Sequence, residues 1–188
     1  MRSEKECDFP LTKIESYRDY MRFLARVQMR DELRKKFDPS DIVQQSMLQA
    51  YQAFSDFRGS SEAELVAWLR TILARTISHA IRDAHADKRD VGRERSIHAA
   101  MDASSLRLET FLAAEQSSPS QNAQRREQAV VVAEAVETLS EGQREVILLR
   151  YWHGKTITEI AEETGRTVSA VAGLAFRGLK SLQEKLGT

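Results

Sequence analysis

The sequence predicts an all-α protein: two small helical domains, at 1–95 and 127–188, joined by a flexible linker at 96–126. Three observations predict it. Ala, Leu, Glu and Arg, all strong helix formers, are abundant. The 188 residues hold only 3 prolines and 8 glycines, too few for a β protein full of tight turns. Apolar residues recur at three- and four-residue spacing in stretches that open on capping patterns, and one polar run interrupts them.

The helix starts are written as capping boxes, in which a Ser or Thr accepts the N–H three residues on and a Glu or Gln there reaches back. Thr12 with Glu15 opens a first helix that carries Ile14, Tyr17, Met21 and Leu24. Asp38 caps a second, with Pro39 at N1, where its missing N–H costs nothing. That helix sets Val43, Met47, Ala50, Tyr51 and Phe54 on one face, and Phe57-Arg58-Gly59-Ser60 ends it. Ser61 with Glu64 opens a third, burying Leu65, Leu69, Ile72, Thr76 and Ala80. From Arg82 to Arg95 no apolar face is sustained. Ser104-Ser105 and the run Gln116 to Asn122 then read as linker, with a short helix at Leu106, Leu108, Phe111 and Leu112. Ser140 with Gln143 and Thr156 with Glu159 open two of the C-terminal helices.

Charge narrows the function. Lys plus Arg and Asp plus Glu number 28 each, so the net charge is zero. A protein that grips DNA unaided is usually basic, because phosphate neutralisation supplies most non-specific affinity. Zero charge argues against a stand-alone clamp and leaves room for a specificity subunit carried to DNA by a larger enzyme. The single cysteine, Cys7, fits a reducing compartment. No apolar run approaches the ~18 residues of a membrane span, and Met1 to Pro10 lacks a signal-peptide core, so a cytoplasmic location without membrane contact is expected.

The strongest functional pattern lies between Glu145 and Lys185. A helix ending near Trp152, a short one from Ile157, Gly165 at a tight turn and a long one from Thr167 have helix-turn-helix spacing. Ile160, Val171 and Leu174 fall where the two helices pack, and Ala161 is small enough to let them approach. The second helix would enter the major groove with Arg166, Thr167, Ser169, Arg177 and Lys180 as its polar groups. An ordinary helical hairpin satisfies the same spacing. On the third helix, Trp68, Thr71, Arg75, Ser78, His79 and Arg82 share a stripe, with Arg70, Lys88 and Arg89 nearby. An aromatic among cations and hydroxyls suits unstacked bases and phosphates, and it equally suits a solvated face. His79, His85, His98 and His153 are scattered without paired cysteines, so no metal and no cofactor is expected. No nucleophile-and-base arrangement or phosphate loop is present, so no catalytic residue is assigned and the protein is not read as an enzyme.

Together these segments resemble extracytoplasmic-function (ECF) sigma factors of the sigma-70 family. The stretch Asp38-Pro39-Ser40-Asp41-Ile42-Val43-Gln44-Gln45-Ser46-Met47-Leu48-Gln49-Ala50-Tyr51 is similar to the signature D-x-x-D-[LIV]-V-Q-[ED]-x-[FM]-[LI]-x-A-[WY]. Phe54 to Gly59 followed by Trp68-Leu69 resembles the F-R-G … W-L segment. Leu139 to Val146 with Arg150-Tyr151-Trp152 looks like the start of the family's −35-binding domain.

The resemblance implies a protein that binds core RNA polymerase and directs promoter recognition, melting and initiation. It implies that the β′ clamp and β flap of core polymerase are partners, with Asp41, Ile42, Val43, Gln44, Gln45, Met47, Leu48 and Tyr51 docking on the clamp. It implies −10 contacts from Phe57, Arg58, Gly59, Ser60, Ser61, Trp68, Arg75, His79 and Arg82, with a base flipped into the 57–61 loop. It implies −35 contacts from Arg166, Thr167, Ser169, Ala170 and Arg177. The linker would thread through the polymerase, and an anti-sigma factor is a partner that many members of the family have. Two departures stand out. The family commonly reads T-V-K-S-R-[LV]-x-R-A in its recognition helix, where this chain has Thr167-Val168-Ser169-Ala170-Val171-Ala172-Gly173-Leu174-Ala175 and lacks the cations. Gln45 stands where an acidic residue is usual. A conventional helix-turn-helix regulator and a polymerase-binding adaptor that never reads DNA are the alternatives.

Overall fold

The computed structural model describes residues 12–29, 31–85, 91–111 and 122–187. These residues are helical with short turns and contain no strand, in agreement with the all-α expectation. They divide into two compact units, Met1–Ser105 and Leu106–Thr188. Cys7, Lys88, Arg89 and the run from Leu112 to Gln121 lie outside the described residues. Among the described residues no helix is long and apolar enough to cross a membrane.

In the first unit, α1 (Thr12–Glu15) and α2 (Arg18–Gln28) replace the single helix expected from Thr12. The break has a local cause. Ser16 Oγ donates to the Lys13 carbonyl at 2.8 Å, and Tyr17 N–H donates to the Ile14 carbonyl at 3.1 Å, which closes a tight turn in place of the next helical turn. After the short α3 (Asp31–Arg34), Asp38 caps α4 (Pro39–Gln52), its Oδ1 accepting from Ser40 N–H at 2.6 Å. A 3₁₀ turn at Phe54–Asp56 leads to α5 (Glu62–His85), 24 residues and so about 36 Å long. Helices α2, α4 and α5 pack on one another. Their core contains Tyr20, Met21, Phe23 and Leu24 from α2, Ile42, Val43, Met47 and Ala50 from α4, and Leu65, Leu69, Leu73 and Ile77 from α5.

Helix α6 (Val91–Phe111) occupies sequence in which only a short helix was expected. Its buried positions are Met101, Ser104, Ser105 and Leu108, so two hydroxyls interrupt the apolar stripe. Polar contacts do the work of that stripe. Ser105 Oγ lies 2.5 Å from the Tyr20 hydroxyl and accepts from Arg70 at 3.2 Å, and Gln28 Nε2 donates to Ser104 Oγ at 3.0 Å. The unit boundary falls inside α6, after Ser105.

The second unit is built from α7 (Asn122–Glu137), α8 (Glu141–Tyr151), α9 (Ile157–Thr164) and α10 (Val168–Leu186). The connector expected over 96–126 is thus helical in its described residues, within α6 and the first turn of α7. Helix α10 packs on α7, α8 and α9. Val146, Ile160, Ala161 and Val171 form a buried cluster, with Leu149, Ile157, Leu174 and Ala175 against it. These include the four positions at which the sequence sets the two motif helices together. Gly178 of α10 lies on α8: a Cβ there would meet Ile147 Cγ1 at 3.1 Å, so the crossing is close because the side chain is absent.

Candidate nucleic-acid interface

In the first unit the loop from Phe57 to Ser61 is held from both sides. Below it, the Phe57 ring lies 5.1 Å from Trp68 and 6.1 Å from Phe54, centroid to centroid, and is only 5% exposed. Gly59 lies directly over that ring, where a Cβ would come within 2.3 Å of it. Above, the Glu64 carboxylate accepts from Ser60 N–H at 2.8 Å, Ser61 N–H at 3.0 Å and Ser61 Oγ at 2.9 Å. One capping carboxylate therefore gathers the loop as well as starting α5. The Ser60 N–H above all, then the Ser61 hydroxyl and N–H, hold the Glu64 carboxyl below its ordinary value of 4.5.

That shift has a testable sign. A depressed carboxylate contributes order that is present above 4.5 and lost as pH falls through the folded value below it. The amide resonances of Ser60 and Ser61 are therefore expected to titrate together with a midpoint under 4.5 and to stop titrating in Glu64→Gln. A midpoint at or above the ordinary value would contradict the loop geometry.

The sequence-assigned −10 residues separate on this framework. Arg58, Ser60 and Ser61 are exposed, and Arg58 donates to the Ser55 carbonyl at 2.6 Å. Arg75 and His79 are exposed on α5, and Arg82 donates to His79 Nδ1 at 2.6 Å. Trp68 is half-buried in the aromatic cluster. Phe57 is buried and supports the loop from beneath. Ser78, which the stripe also includes, is turned inward at 2% exposure. Thr71 bonds His98 Nε2 at 3.1 Å, and His98 and Arg70 both lie against Asp102, so α6 covers that part of the stripe.

The face assigned to polymerase divides in the same way. Asp41, Gln44 and Gln45 are exposed on α4, and Leu48 and Tyr51 are exposed large side chains beside them. Tyr51 is oriented by its hydroxyl, which donates to Glu15 Oε2 at 2.8 Å, while Arg18 holds the same carboxylate at 2.5 and 3.0 Å. Ile42, Val43 and Met47, at 1–2% exposure, lie in the core. They lie at helical spacing on the inward side of α4, and the signature merges the two faces.

In the second unit the helix-turn-helix forms as spaced. Thr156 and Glu159 complete a capping box on α9: Glu159 Oε2 accepts from Thr156 N–H at 2.7 Å and Thr156 Oγ1 accepts from Glu159 N–H at 3.2 Å. Gly165 ends α9 at φ 65°, ψ 22°, the left-handed conformation glycine tolerates without strain, and Arg166 N–H returns to the Ala161 carbonyl at 3.0 Å. Thr167 caps α10, accepting from Ala170 N–H at 3.2 Å. Thr167, Ser169, Ala170 and Arg177 are exposed. Arg166 is different. Its guanidinium donates to Glu145 Oε2 at 2.5 Å and ties the turn to α8. The sequence reading missed Glu145, because the partners are 21 residues apart on different helices and no local spacing relates them.

Comparison with protein families matches residues 15–86 to sigma-70 region 2 and residues 129–182 to sigma-70, region 4. The chain belongs to the sigma-70 family, in its ECF form. Comparison with curated proteins finds no match. The region 2 match covers α2, α4, the Phe57–Ser61 loop and α5 of this sigma factor, and the region 4 match covers the helix-turn-helix. The family supports interaction with RNA polymerase and promoter DNA and is not an enzyme family.

Proposed function

We propose that this sigma factor binds core RNA polymerase through the exposed face of α4 and directs it to two promoter elements. The docking surface is Asp41, Gln44, Gln45, Leu48 and Tyr51, set against the β′ clamp. Segment 1–95 serves the −10 element, with Arg58, Gly59, Ser60 and Ser61 taking a flipped base and Trp68, Arg75, His79 and Arg82 along the melted strand. Segment 127–188 serves the −35 duplex through Thr167, Ser169, Ala170 and Arg177, with the β flap as its polymerase partner. Arg166 contributes mainly by fixing the turn.

The observation that carries this reading is the pairing, in one chain, of a region 2 whose α4 keeps its amide and acidic residues outward with a region 4 whose turn is capped at both ends. A conventional regulator has no use for the first, and an adaptor has none for the second. The protein needs no cofactor for this work and performs no chemistry of its own.

Run-off transcription with core polymerase on pooled promoter fragments tests the reading. Discrete new starts with shared upstream elements are expected, and Asp41→Arg is expected to reduce them at least about tenfold, since breaking a charged contact at an interface costs about 2 kcal/mol or more. Tight polymerase binding without new starts would indicate an adaptor. Duplex binding without polymerase binding would indicate a conventional regulator.

A further inference from the structure

Helix α10 carries two apolar faces. The inward one, Val171, Leu174, Ala175, Gly178 and Leu182, meets the rest of the second unit. The other is exposed. Val168, Ala172 and Phe176 follow at i, i+4 and i+8, with Val168 51% and Phe176 70% exposed. A phenylalanine so exposed, in line with two smaller apolar side chains, is off the phase of the core and contributes nothing to it. Ser169 stands beside this ridge. The Arg177 guanidinium turns back over Gly173, where a Cβ would meet Nη1 at 3.2 Å.

We propose that Val168, Ala172 and Phe176 read the C5-methyl groups of thymines in the −35 element. The inference rests on the promoter-binding reading above and adds to it the residues and the base chemistry. The ridge is continuous with the face of the second motif helix that enters the major groove. Of the four bases only thymine presents a methyl group there, and apolar side chains are its ordinary partners. A cytosine in the same place carries only a hydrogen at C5, so the ridge loses the methyl contact there. Eight residues of helix span about 12 Å, or three to four base steps at about 3.4 Å each, so the ridge reaches more than one thymine. It also gives the departure from the family's cationic recognition helix a physical meaning. Specificity is carried by methyl contacts, and phosphate anchoring is left to Arg177, Lys180 and the polymerase.

The test uses holoenzyme and a promoter recovered from its own run-off transcripts, synthesised with each −35 thymine replaced in turn by deoxyuridine, which removes only the methyl group. Binding is expected to weaken about fourfold at one or more positions, the worth of one buried methylene. Phe176→Ala, which removes an exposed side chain and should leave folding intact, is expected to bind the thymine promoter more weakly and to lose the discrimination at its position. The proposal is overturned by no response to deoxyuridine at any position, by a −35 element without thymine, or by a Phe176→Ala holoenzyme that discriminates like the parent. Loss of core binding by Phe176→Ala in the absence of DNA would assign the ridge to polymerase instead and would equally overturn it. If the parent protein directs no starts at all, the promoter-binding reading itself fails, and that failure is visible before any deoxyuridine is introduced.

Discussion

Gly59→Val is expected to destabilise the first unit by about 1–3 kcal/mol, the range of an overpacked core, and to abolish starts that depend on the −10 element. The glycine is required for space and not for backbone conformation. A Cβ at this position would lie 2.3 Å from Phe57 Cζ, 2.7 Å from Cε2 and 2.9 Å from the Glu64 Cβ. The Phe57 ring has little room to retreat, with Trp68 at 5.1 Å and Phe54 at 6.1 Å. Either the ring leaves its pocket or the loop lifts away from it. The first loses the burial of an aromatic side chain, worth about 1.5–3 kcal/mol. The second breaks the hydrogen bonds from Ser60 and Ser61 to Glu64. Chemical denaturation followed by the fluorescence of Trp68, with Trp152 replaced, measures the cost. An unchanged midpoint with parent-like Trp68 emission would show that the loop does not depend on this contact. Phe57→Leu separates the two functions of the loop: it keeps an apolar anchor beneath Gly59, so it should retain more −10 recognition than Gly59→Val.

The parts of this protein that the sequence exposes are those in which cause and effect are local. Asp38-Pro39 fixes the start of α4, Thr156 with Glu159 the start of α9, and Gly165 the turn, because each acts within a few residues of itself. The inward phase of α5 is equally legible, and Leu65, Leu69, Ile72, Thr76 and Ala80 are all buried as their spacing requires. What the sequence conceals is contact between distant residues with no apolar period to reveal it. Ser104 and Ser105 belong to the residue type that marks turns, yet they sit inside α6 because Gln28, Tyr20 and Arg70 satisfy their hydroxyls. Nothing near Arg166 in the sequence announces its tie to Glu145. Ile42, Val43 and Met47 show a different gap: the signature runs inward and outward residues of α4 together. Only the direction of each side chain from α4 separates the two.

Ile160→Ala is expected to cost the second unit about 2–5 kcal/mol and to leave the first unit intact. Ile160 is fully buried among Val146, Ala161 and Val171, where α9 meets α8 and α10. Its truncation opens a cavity at the one place that sets the angle between the motif helices, and neither neighbour can move in without shifting Gly165 or the Thr167 cap. A small domain has roughly 5 kcal/mol to lose, so the variant should hold α10 in reading position for only part of its population. The two tryptophans report separately, Trp68 from the first unit and Trp152, 5% exposed, from the second. Denaturation of Ile160→Ala, with each tryptophan replaced in turn, should move the Trp152 transition to lower denaturant while the Trp68 transition stays where it is. Binding to core polymerase through α4 should survive, and dependence on the −35 element should fall. A common shift of both transitions would mean that the two units unfold as one, and the division of work between them would then need another basis than separate cores.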